Sequence, residues 1–273
     1  MLVAVLVVVG VVGYLVNRGV GPLPDPEGCH ATVQGHRVDI SIDQAQNASV
    51  IAAVAVRRGL PARAVSIALA TAFQESKLTN LANGDRDSVG IFQQRPSMGW
   101  GTKAQILDPY YATNRFYDAL LRVPGYEEMR ITVAAQRVQR SGFPEAYAVH
   151  EADARALASA LTGYSPGDFS CVVHAATGGG SPDQVSASLG RALGLRATRA
   201  GPHSLVVALP GSAAERRRLG WVVSCYLLAQ AKALAVTSVD FDGHRWVDGR
   251  ASEHGWRPVG RTGHSVVHLT TAR

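Results

Sequence analysis

Hydrophobic positions along this chain follow two rhythms. From Asp43 to about Leu161 they recur at helical spacing and are separated by polar loops. Asp43, with Gln46 three places on, predicts a capping box for a helix that runs to Arg58 and is ended by Gly59. Pro61 then suits the first turn of a second helix, Ala62 to about Lys77. The stretch from Val65 to Phe73 is apolar on nearly every face, which marks a buried helix. Residues 79–101 are rich in Gly, Asn and Asp and read mostly as loop. Helical patterns resume at Thr102–Ile106, Tyr110–Leu121, Ile131–Gln139 and Pro144–Leu161.

Beyond residue 180 helices and strands interleave. Ser181-Pro182-Asp183-Gln184 opens a helix to about Leu193, and residues 212–234 predict another. Leu205–Leu209, Thr237–Phe241 and Ser265–Leu269 read as strands. The expected class is therefore α+β: a mainly helical domain over 43–165, a Gly-rich linker over 166–182 and a small α+β domain over 183–273. Ahead of them lie a Pro-rich spacer and short strands over 21–42, with Val33, Val38 and Ile40 around a Gln-Gly turn.

The first sixteen residues carry no charge. Extended to about residue 20, they would form a helix close to the ~30 Å thickness of a bilayer's hydrocarbon core. No Ala-x-Ala cleavage site follows, so an uncleaved membrane anchor over 1–20 is expected, with the bulk of the chain outside the cell. Single anchors do not build multi-helix transporters.

Composition narrows the function classes. At 47% hydrophobic residues, wholesale disorder is excluded. A net charge of +6 favours an anionic partner: nucleic acid, anionic lipid or an acidic wall polymer. Aromatics are only 7% and the basic residues are scattered along the sequence, which argues against a base-stacking nucleic-acid surface. Cys29 precedes the helical region and Cys171 follows it, so a bond between them would clasp that region. Such a bond favours an oxidising exterior. Cys225, in an apolar run, reads as a buried thiol.

Glu75 carries the chemical interest. It ends the buried helix, and the positions before it on its own face are Ala72, Thr71 and Ala68. A carboxylate there meets partial desolvation and the negative end of the helix dipole, both of which favour the protonated form a general acid needs. The bland alternative is a helix-end Glu that reaches solvent.

Four short motifs extend this reading. They are Phe73-Gln74-Glu75-Ser76, Ser88-Val89-Gly90-Ile91-Phe92-Gln93-Gln94, Asp108-Pro109 followed by Asn114, and Pro144-Glu145-Ala146-Tyr147. In this order, over residues 50–165, they resemble the soluble lytic transglycosylase and goose-type lysozyme superfamily. The closest overall look is to an actinobacterial, membrane-anchored, lysozyme-like group. The resemblance implies a lysozyme-like fold, peptidoglycan as partner, no cofactor or metal, and Glu75 as the single catalytic acid/base. Gln93 and Gln94 would then donate to sugar hydroxyl or acetamido groups, and Trp100 and Tyr110 would stack on sugar rings. A hydrolase would need a second carboxylate, for which Asp85 and Asp87 are the nearby candidates, although Asp in such a loop also serves turn formation. The family's Ala-Tyr-Asn-Ala-Gly segment should fall near Ala134–Val138, where its Tyr and Asn are missing. That departure keeps a second class open, a non-catalytic wall-binding or scaffold protein. In the C-terminal region His264 and His268 faintly resemble the terminal strand of zinc carboxypeptidase-like folds. The ligand set is incomplete there, so a wall-binding or partner-binding module is expected instead.

Overall fold

The structure is a computed structural model that describes residues 24–140, 145–260 and 263–273. The expected anchor over 1–20 lies outside the described residues. Among those described, no helix is long and apolar enough to cross a membrane.

The class is α+β, with two antiparallel sheets. Strand β1 (Gly28–Val33) turns at Gln34-Gly35 into β2 (His36–Ile40), where Gln34 (φ 51°) and Gly35 (φ 83°) supply the left-handed turn conformation. Helix α1 (Ile42–Arg57) follows at once. Its N-cap is Ser41, whose side chain accepts from the Gln44 backbone N–H while Gln44 reaches back to the Ser41 N–H. The expected box two residues later, on Asp43 and Gln46, is displaced. Ser41-x-x-Gln44 has the same spacing, and starting there carries Ile42 and Ala45 into the buried face. Asp43 falls in the first turn, where its charge suits the helix dipole.

Helix α2 (Ala62–Ser76) is buried from Ala64 to Ala72. Its small residues Ala64, Ala68, Ala70 and Ala72 let the later helices α5 (Ile131–Gln139) and α6 (Glu151–Leu161) approach closely. Between α2 and α5 come the short α3 (Lys103–Ile106) and α4 (Pro109–Leu120), the latter capped by Asp108. The expected helix from Pro144 is shorter: its regular part begins at Glu151, after a 3₁₀ turn at Ala148–His150.

Residues 166–182, expected as a linker, contain strand β3 (Phe169–Val172), which pairs with β1 in the order β2-β1-β3. Cys29 and Cys171 stand opposite each other in that pair and are joined by a disulfide. After β3 come α7 (Pro182–Leu193), β4 (Ala197–Arg199), β5 (Ser204–Ala208), α8 (Ala213–Ala229) and the short α9 (Ala231–Leu234). Strands β6 (Val236–Phe241), β7 (His244–Val247), β8 (Arg257–Pro258) and β9 (Val266–Thr271) complete a second sheet, ordered β4-β5-β9-β6-β7-β8.

The two halves share one continuous hydrophobic core. Helices α7 and α8 pack on α1, and α8 carries the wholly buried run from Trp221 to Ala229. Trp246 and Trp256 each donate an indole N–H across the junction, to the carbonyls of Cys171 and Phe169, both at 2.9 Å. Gln230 donates to Ser49 at 3.1 Å. The C-terminal half thus braces α1 and β3, and through α1 the helix that carries Glu75.

Candidate active site

Glu75 is the penultimate residue of α2 and is half-buried. The helix stops because Lys77 (φ 54°) and Leu78 (φ 58°) both adopt the left-handed conformation. Two successive non-glycine residues there are uncommon, and such backbone concentrates at functional sites. Leu78 is fully buried, so packing holds the turn in place.

One hydroxyl fixes the carboxylate. Tyr147, 0% exposed, donates its phenolic O–H to Glu75 Oε1 at 2.8 Å. The other carboxylate oxygen, Oε2, has no hydrogen-bond partner among the described residues. One residue earlier in the helix, Gln74 Oε1 meets His150 Nε2 at 3.0 Å, and the His150 ring stacks on Phe73 with centroids 5.7 Å apart. Burial pushes the His150 imidazole below its ordinary range, partly offset by Asp153, so at neutral pH it sits neutral over Phe73. Tyr147 was visible in the sequence only as the last residue of one motif, and His150 carried no signal.

Ser76 ties this corner to the following loop by donating to the Ile91 carbonyl at 2.7 Å. In that loop Val89 and Gln94 bridge, as do Leu81 and Gly90. Gly90 (φ 81°) is required there, because a Cβ would meet the Ile106 carbonyl oxygen at 2.8 Å. The amide of Gln93 is used inside the loop: Oε1 accepts from Ser88 at 3.0 Å and Nε2 donates to the Gly90 carbonyl at 3.1 Å. Gln94, 1% exposed, donates Nε2 to the Ala112 carbonyl at 3.2 Å, while its Oε1 has no partner among the described residues. Gln139 of α5 donates to the Phe92 carbonyl at 2.8 Å and closes the loop from the other side.

Beside this loop opens a groove of about 500 Å³, whose wall includes Gln93, Gln94 and Trp100. Glu75 is not part of that wall, and neither is Tyr110. Five arginines line it, Arg95, Arg115, Arg122, Arg137 and Arg140, against one carboxylate, Asp118. Asp118 is already engaged by Arg58 at 2.8 Å and approached by Arg115 at 3.8 Å. Arg95 is held by Asp87. Arg122, Arg137 and Arg140 are exposed and form no ion pair among the described residues.

The structure places the remaining expected site residues elsewhere. Tyr110 packs at the junction of the halves. Its hydroxyl meets that of Tyr226 at 2.7 Å, Ser188 meets Tyr226 at 2.7 Å, and the Arg191 guanidinium covers its ring at 4.2 Å. Both its polar end and a ring face are occupied, so the expected sugar stacking is withdrawn for Tyr110. Asp87 accepts from Arg95 Nε at 2.8 Å and from the Ser97 backbone N–H at 2.7 Å, and Ser97 Oγ lies 2.9 Å away. These bonds hold its carboxyl well below the usual carboxylate range, which makes it a poor proton acceptor at neutral pH. Asp85 has a side chain 95% exposed, and its carbonyl accepts from Ser88 in a turn. In the second half, His264 Nδ1 pairs with Asp242 at 2.7 Å, and His268 stands opposite Asp240 in the β6–β9 ladder. Among the described residues no group of three or more His, Cys, Asp or Glu could hold a metal ion.

Comparison with protein-family models finds no match, and none of the curated proteins matches this chain.

Proposed function

We propose that the chain cleaves peptidoglycan glycan strands by a lytic-transglycosylase-like mechanism with Glu75 as its single acid/base. The observation that carries this reading is the Glu75–Tyr147 hydrogen bond at the end of a buried helix, braced by the Ser76–Ile91 contact. With Oε1 held by Tyr147, Glu75 delivers its proton from Oε2 to the glycosidic oxygen between N-acetylmuramic acid and N-acetylglucosamine. The C1–O bond breaks and the sugar hydroxyl leaves. The resulting Glu75 carboxylate takes the proton from the muramyl C6 hydroxyl as its oxygen closes on C1. A 1,6-anhydro ring forms and Glu75 is returned protonated. No water enters, so no second carboxylate is required, in keeping with the engagement of Asp87 and the exposure of Asp85.

The assay is release of soluble fragments from purified peptidoglycan, lost in Glu75→Gln. A non-catalytic wall-binding protein is the second reading. It is favoured by one observation, that the groove beside the loop does not include Glu75 in its wall. It predicts binding without release. In both readings the described part lies outside the cell, held by the N-terminal segment, with the wall rather than nucleic acid as its partner. The Cys29–Cys171 disulfide supports an oxidising compartment.

A further inference from the structure

We infer that the arginine-lined groove is a carboxylate-binding site that seats the acidic side groups of the wall polymer, the carboxylates of its stem peptides, beside the glycan. The choice of polymer rests on the proposed function; the anion site itself rests on the groove. Charge, geometry and placement support it.

The first is charge. Arg122, Arg137 and Arg140 enter from two directions, the end of α4 and the end of α5, and present to one space of about 500 Å³ guanidinium groups that form no ion pair among the described residues. Like charges converging without a counter-ion repel one another, and an anionic ligand relieves that repulsion. The groove's one carboxylate, Asp118, is neutralised from behind by Arg58. The second is geometry. Guanidinium groups grip carboxylates by paired N–H donors, a fork that lysine cannot offer, and all five cations of the wall are arginines. The third is placement. Gln93 and Gln94, the last two residues of the loop Val89–Gln94, line the groove, and the same loop is fixed to Ser76, next to Glu75 in sequence, through Ile91. A strand running past Glu75 would carry its side groups toward that wall. Among the described residues Trp100 is the sole tryptophan, tyrosine or phenylalanine of the lining, so a single-stranded nucleic acid would find charge but no row of stacking rings there.

Binding is measured with the full chain carrying Glu75→Gln, so that turnover plays no part. The probe is purified peptidoglycan stripped of phosphate polymers, untreated or with its carboxylates converted to amides. The triple change Arg122→Gln, Arg137→Gln, Arg140→Gln is compared with the parent, and thermal melts confirm that both are folded. Three exposed ion pairs together support roughly a tenfold effect. Amidation and the triple change should therefore each weaken binding about tenfold, with little further loss when combined. Equal binding of both probes by both proteins overturns the inference. So does binding that needs the phosphate polymers, or a short single-stranded oligonucleotide that outcompetes the untreated wall. Carboxylate-dependent binding by a chain that releases no fragments when Glu75 is restored upholds the groove while refuting the proposed catalysis.

Discussion

Removal of the Cys29–Cys171 disulfide should cost this protein a large part of its stability. The two cysteines are 142 positions apart and face each other across β1 and β3. Opening a loop of that length restores chain entropy to the unfolded state worth about 5 kcal/mol on the loop-closure account. Little in the folded state offsets that loss. The β1–β3 ladder keeps its backbone hydrogen bonds, and Trp246 and Trp256 continue to hold β3, so the native structure persists while the unfolded chain gains freedom. Domains commonly have a total stability of about 5–15 kcal/mol. For a chain of this size, 5 kcal/mol corresponds to a fall in melting temperature of about 10–20 °C. The test is guanidinium unfolding of Cys29→Ala/Cys171→Ala against the oxidised protein, followed by tryptophan fluorescence. The midpoint should drop and the slope should rise, because the uncrosslinked unfolded chain exposes more surface. A loss below about 1 kcal/mol would refute the reasoning, since it would mean that the unfolded chain is already held together near this junction.

Other outcomes follow from single contacts. Tyr147→Phe removes the hydroxyl that fixes Glu75 and should reduce fragment release about tenfold or more, the value of one hydrogen bond to a charged group, with the melt little changed. Asp87→Asn should leave the product chemistry unaltered while loosening the Arg95–Ser97 turn; a change in product type would make Asp87 part of the reaction. The Asp87 carboxyl is depressed in the folded state, so it stabilises the fold above its unfolded value near 4 and loses that contribution as the pH falls toward the folded value. Acid titration of the melt should therefore show a component below about pH 4 that Asp87→Asn lacks. Burial pushes the Cys225 thiol up to about 12, so iodoacetamide at pH 8 should label it only after unfolding.

The helices were legible because their signals are local. The expected Ile131–Gln139 is observed with the same ends, and Ala62–Ser76 differs from expectation by a residue. The first helix was displaced because two serviceable caps, Ser41 and Asp43, lie two residues apart, and only the packing of Ile42 and Ala45 decides between them. Strand β3 was hidden for a different reason. Its four residues sit in Gly-rich surroundings, and what makes them a strand is β1, which lies 142 positions away at the disulfide. Tyr110 illustrates the same limit at the site: a half-exposed aromatic beside a polar loop reads as a ligand platform until Tyr226 and Arg191 are seen to cover it. The arginines of the groove looked scattered along the chain, since Arg95, Arg122 and Arg137 come from three separate elements. Helix periodicity put Glu75 at the end of an apolar stretch and the motif around it gave it interest; its partner Tyr147, 72 positions on, was visible only as the last residue of another motif.

The measurement that bears most directly on the central claim is the mass of what the chain releases from purified peptidoglycan, with Glu75→Gln alongside. Muropeptides one water lighter than their reducing counterparts, present with the unaltered chain and missing with Glu75→Gln, are the predicted result. Fragments with ordinary reducing ends, or the same fragments from both proteins, would contradict it.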